Sequence, residues 1–396
     1  MKSFQPGATR ALFLSTTAFA VSFAVWGLIG ALAPTFAQAY GLSAKAKSLM
    51  IAVPVLLGAL GRIPAGLLAD RFGGRRVFAS LLVLSAVPAV LIGFSQSYVV
   101  LIGLGFFLGI AGSTFPVGVG FTSKWFGRDQ QGTALGVYGM GNIGQSIAVF
   151  GAPVLAIYLG SWRPVFFVFA LLAVVWGVVF YLTARDAVSE TKPKTVAENL
   201  ALLRHQPLAW ILSLFYFLTF GGFVAFSIYL PTLLKDTFNL GPADAGARTA
   251  GFVLLATLMR PVGGMLADRI GGARVLVPVF ISVAFFGATM GCPWMPSFTV
   301  GALGTAAMLG IGNGAIFKLV PEYFPKETAT VTGLVGAFGG FGGFFPPLVL
   351  GLLRDATGAY TWGFILLAIF ALFCAAVNYF VFIKPDQFKN AAKATI

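Results

Sequence analysis

Apolar residues run along this chain in long blocks, and polar residues are confined to the gaps between them. A block of about 20 apolar residues is what an α-helix needs to cross about 30 Å of hydrocarbon. Such blocks recur near residues 11 to 36, 48 to 69, 77 to 95, 98 to 122, 132 to 158, 163 to 184, 208 to 234, 245 to 267, 274 to 290, 297 to 320, 328 to 353 and 361 to 383. The pattern predicts an all-α membrane protein with twelve transmembrane helices, numbered here as spans 1 to 12. Span 1 follows Lys2 and Arg10 in the manner of a signal peptide. Its apolar run is about twice the length of a signal core and has no small-residue cleavage site with a soluble chain behind it, so it is read as a retained helix.

Composition agrees. With 58% hydrophobic and 10% charged residues and a mean hydropathy of +0.91, the chain is built for a lipid bilayer, and a soluble core is excluded. The formal charge of +14 changes the picture only through its distribution. If both termini are cytoplasmic, the inner segments hold 18 Lys or Arg and the outer loops hold 6, namely Lys45, Lys47, Arg163, Lys235, Arg248 and Arg354. That asymmetry follows the positive-inside rule and predicts a multi-pass protein of the inner (plasma) membrane with cytoplasmic termini. The excess charge is thus a topology signal, and nucleic acid is not an expected partner. Cys292 and Cys374 are too few for a disulfide framework or a metal site.

The two cations left over lie inside spans, in a repeat. LLGALGRIPAGLLADRFGGRRVF, residues 56 to 78, aligns without a gap to LLATLMRPVGGMLADRIGGARVL, residues 254 to 276, with 13 of 23 positions identical at an offset of 198. The offset is half of 396, so the chain reads as two copies of one membrane unit, each with one intramembrane arginine, Arg62 or Arg260. The expected organisation is a six-helix bundle over 1–184, a linker over 185–206 and a second, pseudo-symmetric six-helix bundle over 207–396. The linker is polar, basic and broken by Pro193, with AENLALLR as a candidate surface helix. His205, the single histidine, lies in it, where a solvated role outweighs a proton relay.

An arginine at mid-bilayer costs about 2.5 to 3.5 kcal/mol on insertion scales and persists where it is used. Each arginine sits eight residues before the aspartate of its repeat, Asp70 or Asp268, which is about 12 Å into the helix. All twelve acidic residues fall in loops or at span ends, so no buried carboxylate is expected to titrate or to neutralise the arginines. The guanidinium holds its donors in a planar fork suited to carboxylate or nitrate. Two forks facing one interface would grip a small planar anion, and their mutual repulsion would leave the empty pair bare and costly to dehydrate.

Other polar and small residues sharpen this expectation. Span 5 reads GVYGMGNIGQSIAVFGAP (136 to 153) and span 11 reads GLVGAFGGFGGFFPPLVLG (333 to 351); aligning Gly136 with Gly333 also aligns Gly139 with Gly336. Such glycines let helices approach closely or let a ligand touch backbone. Gly139, Gly141 and Gly144 spell G-x-G-x-x-G, but within a span and without the preceding strand that a dinucleotide site needs. No G-x-x-x-x-G-K-[ST] loop is present, so no cofactor and no ATP-driven pumping are expected. Asn142 is the one amide of span 5 and serves either helix packing or an anion. Tyr216 and Phe220 lie one turn apart in span 7, and Phe115 lies beside Gly112 and Ser113 in span 4.

GLLADRFGGRRV (66 to 77) and GMLADRIGGARV (264 to 275) resemble the signature loop of the major facilitator superfamily. The resemblance covers the whole chain and implies that superfamily's fold, with Asp70, Arg71, Asp268 and Arg269 in gating and helix-end pairing. The arginines of spans 2 and 8, together with the glycine-rich spans 5 and 11, further resemble the nitrate/nitrite porter family. That resemblance implies Arg62 and Arg260 as the anion-gripping pair, Asn142 as the span 5 amide, Tyr216 and Phe220 as the span 7 aromatics and Phe115 as a ring stacking on the anion. Gly139 and Gly336 belong to its glycine signatures, and Asn313 in LGIGNGAIF is similar to a polar position of span 10. The second signature departs from the first by carrying Gly340 and Phe341 opposite Ile143 and Gly144.

The resulting expectation is a secondary transporter of nitrate and nitrite that works by alternating access as a monomer in the lipid bilayer. Coupling is by nitrate/nitrite exchange or by proton symport: the absence of a buried carboxylate favours exchange, while the short chain resembles the family branch associated with proton-coupled uptake. The alternatives are transport of a small carboxylate such as formate or oxalate, which a guanidinium fork does not separate from nitrate by charge alone, and a non-transporting anion sensor. An enzyme is not expected, since no nucleophile-base pair, metal cluster or cofactor loop is visible.

Overall fold

A computed structural model describes residues 6–187 and 196–384, and among these every regular element is helical. Glu190, Pro193 and Asp386 lie outside the described residues. Among the described residues, twelve helices are long and apolar enough to cross a membrane. They are Ala8–Ala39, Leu49–Phe72, Gly74–Gly93, Tyr98–Ser123, Gln131–Tyr158 and Arg163–Thr183, then Pro207–Phe238, Asp244–Ile270, Gly272–Met290, Met295–Tyr323, Thr328–Arg354 and Thr361–Ile383. Each matches the span of the same number within a few residues. Lipid supplies no hydrogen-bond partners, so a helix that satisfies its own backbone is the form such apolar blocks must take.

Several of these helices are interrupted where the sequence permits. Span 1 breaks at Leu32, with Pro34 in the first turn of the segment that follows. Span 2 breaks at Gly61, immediately before Arg62. Span 4 tightens into a 3₁₀ stretch over Gly109–Thr114 and span 5 into a 3₁₀ turn over Met140–Asn142, both in glycine-rich runs. The matching helices of the second copy, Pro242–Ile270, Met295–Tyr323 and Thr328–Thr357, run without a break.

The repeated loop explains itself in backbone terms. Gly73 and Gly271, the first glycines after DRF and DRI, both have φ of 90°, a region that L side chains avoid. Each donates its N–H to a carbonyl at 3.0 Å, Ala69 or Ala267, closing its helix. The next glycine opens the following span against a crowded surface, since a Cβ on Gly74 would lie 2.7 Å from Phe121 Cβ.

By packing, the described chain divides into two compact units that exchange segments of the two sequence halves. Unit 1 comprises 1–127, 137–206 and 323–340; unit 2 comprises 128–136, 207–322 and 341–396. The first part of span 11 therefore belongs to unit 1 and the first turns of span 5 to unit 2. In unit 1, Ser22 Oγ donates to the Ala111 carbonyl at 2.7 Å and Trp26 Nε1 to the Pro54 carbonyl at 3.3 Å, tying span 1 to spans 4 and 2. The linker helix Val196–His205 packs against the Arg62–Phe72 segment with Leu203 buried. In unit 2, Asn378 Nδ2 donates to Ala273 O at 2.8 Å and Thr361 Oγ1 to Gly291 O at 2.9 Å, tying span 12 to the ends of span 9.

Candidate substrate site

Arg62 and Arg260 are each only 2% exposed, so neither turns outward to headgroups. Within unit 1, the break at Gly61 and the 3₁₀ stretch of span 4 bring Arg62 against Gly112 and Phe115. Arg62 Nε donates to the Gly112 carbonyl at 3.2 Å, Nη1 donates to the Gly336 carbonyl at 2.6 Å, and the guanidinium carbon lies 5.8 Å from the Phe115 ring centroid. The sequence-based expectation of a bare guanidinium is corrected here. Backbone carbonyl dipoles compensate the buried charge, as a cation in a low-dielectric interior requires. Phe115 is itself held in an aromatic cluster, stacked on Tyr138 at 5.8 Å and tilted on Phe19 at 5.3 Å, and Tyr138 Oη donates to the Phe115 carbonyl at 3.1 Å. Asn142 is buried on the 3₁₀ turn of span 5, next to Gly141, which abuts Phe19. Gly139 is buried one turn earlier.

Within unit 2, Arg260 lies among aromatic faces. Its guanidinium carbon is 5.4 Å from the Phe220 centroid and 5.5 Å from that of Phe223, and the Tyr216 phenol interacts with it. Tyr216 and Phe220 stack at 4.9 Å with planes 3° apart, and Phe317 meets Tyr216 edge-on at 4.7 Å. Aromatic faces stabilise a desolvated guanidinium by about 2 kcal/mol or more. Asn313 is 1% exposed, and neither its amide nitrogen nor its oxygen has a hydrogen-bond partner in the structure. It follows Gly312, whose Cα side meets the Thr219 methyl, and precedes Gly314, which abuts the Arg260 carbonyl.

The glycine alignment of spans 5 and 11 has a structural counterpart. A Cβ on Gly333 would lie 2.5 Å from the Arg62 carbonyl oxygen, and one on Gly136 would lie 2.7 Å from that of Arg260. Each glycine thus rides on the backbone of an arginine from the opposite sequence copy. At the DR-loop ends of the same helices, the aspartates cap helix starts. Asp70 accepts from the Thr330 N–H at 2.7 Å. Asp268 accepts from the N–H groups of Gly132 and Thr133 at 2.8 and 2.7 Å and from Thr133 Oγ1 at 2.7 Å. Anions at helix N-termini are favoured by the unsatisfied N–H groups and the helix dipole.

The family model described as the Major Facilitator Superfamily matches residues 14–317 and 212–395. The chain belongs to the major facilitator superfamily. Its relatives place it in the nitrate/nitrite porter family. It is 42% identical over 362 residues to the nitrite extrusion protein of Bacillus subtilis (strain 168), covering 91% of each chain. It is 37% identical over 399 residues to the probable nitrate/nitrite antiporter NarK1 of Thermus thermophilus, covering 93% of this chain and 90% of the relative. Among solved structures, the fold is similar to the superfamily transporter FucP in its outward conformation, with a TM-score of 0.75 at 16% identity over 94% of this chain and 99% of the other. The human organic anion transporter MFSD10 gives a TM-score of 0.76 at 16% identity over 94% and 100%. The porter is therefore a multi-pass membrane transporter and not an enzyme.

The porter corrects the reading of its acids. Asp70 and Asp268 were expected at span ends without burial, yet their side chains are only 4% and 6% exposed. Burial is tolerated because N–H groups and ammonium groups surround them. The Lys318 ammonium lies 3.1 Å from Asp268 and is 8% exposed, whereas Lys124 lies 3.8 Å from Asp70 and is 32% exposed. Arg71 and Arg269 are exposed beside them. Lys318, Phe223, Tyr138 and Thr330 escaped the sequence analysis. Phe223 was within reach of it, being seven residues from Tyr216 and so on the same helix face.

Proposed function

We propose that the porter is a secondary active transporter of nitrate, and of nitrite, that works by alternating access across the cytoplasmic membrane. The observation that carries this reading is the same in each unit: a fully buried guanidinium set against an aromatic face. A planar donor fork beside a flat ring suits a small planar oxyanion, which accepts hydrogen bonds in its plane and stacks across it. The relatives named for nitrate and nitrite support the same substrates. Arg62 and Arg260 are the cationic ligands; Phe115, Tyr216 and Phe220 are the ring contacts; Asn142, Asn313 and the backbone of Gly139 and Gly336 supply polar contacts. Asp70, Arg71, Asp268 and Arg269 belong to the gates. The sequence halves 1–184 and 207–396, joined by 185–206, are the moving bodies, both termini are cytoplasmic by the positive-inside rule, and the working form is a monomer.

Purified protein in proteoliposomes tests the reading. Nitrate uptake is expected, and nitrite loaded inside distinguishes the two coupling modes. Strong stimulation by internal nitrite signifies exchange; equal uptake without internal anion, rising with an inward proton gradient, signifies symport. Absence of nitrate and nitrite flux under both conditions overturns the assignment.

A further inference from the structure

The bond from Arg62 to Gly336 joins span 2 to span 11 at the level of the proposed anion ligand. Gly336 lies inside the helix Thr328–Thr357, where its carbonyl is ordinarily the acceptor for the N–H four residues on. A carbonyl oxygen has two lone pairs, so the guanidinium can add a charge-assisted bond to the same atom. The contact requires the two helices to lie flush. Three glycines at helical spacing make that possible. A Cβ would lie 2.5 Å from Arg62 O at Gly333, 3.0 Å from Arg62 Cδ at Gly336 and 2.6 Å from Ala59 Cβ at Gly340. The Arg62–Gly336 bond therefore depends on the seating of this glycine strip.

Nη1 carries two N–H groups, and a bound anion competes with the Gly336 carbonyl for the one that the carbonyl oxygen receives. The carbonyl offers a partial charge and the anion a full one, so an arriving oxyanion is the stronger acceptor in a dry site. We propose that the Gly336 carbonyl is an internal competitor of the transported anion for Arg62: the anion takes Nη1 by displacing the carbonyl, and losing that bond unseats span 11 from span 2. Linkage makes the effect reciprocal, so whatever seats the glycine strip lowers anion affinity by the same factor by which the anion loosens the strip. Gly336 is then a staple as well as a wall of the site. The inference rests on the nitrate reading above and adds the order of events at Arg62.

The seat can be reported by a disulfide. In a background carrying Cys292→Ser and Cys374→Ser, the pair Ala59→Cys and Gly340→Cys faces across the strip, and a bridge with a Cβ to Cβ distance of about 3.8 Å needs only a small spread there. Saturating nitrate is expected to slow oxidation of this pair on the order of tenfold, the worth of one charge-assisted bond. Adding Arg62→Gln should lower the anion-free rate to the nitrate-saturated level and remove the nitrate dependence. A rate that nitrate leaves unchanged or raises, at concentrations where calorimetry shows nitrate bound to the same protein, overturns the inference while leaving nitrate transport intact. No nitrate binding by calorimetry overturns both. If the cysteine pair does not fold, hydrogen exchange of residues 330–342 in the unsubstituted chain reads the same event. Nitrate should accelerate exchange there, and added protection would refute the competition.

Discussion

Asp268→Asn should cost the porter far more stability than Asp70→Asn, although the two aspartates occupy the same place in the repeated loop. Asp268 receives two backbone N–H groups, the Thr133 hydroxyl and the Lys318 ammonium, all within 3.1 Å. Asparagine keeps one acceptor oxygen and no charge, which leaves the Lys318 ammonium, 8% exposed, without compensation. Removing one partner of a buried pair costs about 3 to 5 kcal/mol. Asp70 receives the Thr330 N–H at 2.7 Å, with the Thr330 hydroxyl and the Ala329 N–H also turned to it, but its ammonium neighbour is 3.8 Å away and 32% exposed. With the charge term discounted for solvent screening, about 1 to 2 kcal/mol is expected there. Denaturant unfolding of the purified protein in detergent would measure both. A third variant closes the argument: Asp268→Asn with Lys318→Met removes both charges and should recover most of the loss, a coupling visible in a double-mutant cycle. Equal costs for the two asparagine variants, or no recovery in the double variant, would refute the assignment of the ion pair as the source of the difference.

Three further outcomes are expected. Arg260→Lys keeps the charge but loses the fork and its fit to the Phe220 and Phe223 rings, so kcat/KM for nitrate uptake should fall about 100-fold, and uptake within a factor of two of the parent would contradict the planar-anion reading. Asn313→Leu removes a buried amide with no partner, so thermal stability should hold or rise by about 1 kcal/mol while nitrate affinity drops; a large loss of stability with unchanged affinity would show that Asn313 is a packing residue. Gly144→Ala would drive a methyl into the Ala20 carbonyl and should destabilise the packing of span 5 on span 1 by about 1 to 3 kcal/mol, which a thermal melt would detect.

Helix placement was legible in the sequence because lipid imposes a length and a composition on every crossing; the run at 163 to 184, for example, folds as Arg163–Thr183. The arginines were legible because a charge in an apolar block is conspicuous. Their surroundings were less so. The break in span 2 has a trace in the repeat, since Gly61 of the first copy stands opposite Met259 of the second, and the helix continues through the methionine. The carbonyls that receive Arg62 left no trace at all, because every residue has a carbonyl and only the tertiary fold decides which one a guanidinium meets. Lys318 was hidden for a different reason. It lies at the end of an apolar run and reads as one more inner-loop charge until Asp268, 50 residues earlier, is packed against it. The helix starts that Asp70 and Asp268 cap are 260 and 136 residues away in sequence, so their pairing could not be read from local pattern.

The exchange of segments between the units bears on how the porter is made. When residue 206 leaves the ribosome, the piece that completes unit 1, residues 323–340, does not yet exist. The oxygen that receives Arg62 Nη1 is synthesised 274 residues after the arginine itself, a delay of about 14 to 55 s at 5 to 20 residues per second. During that interval a buried cation lacks its final acceptor. The first half of a nascent chain must therefore be sheltered by water, lipid headgroups or the insertion machinery until the second half arrives to finish it.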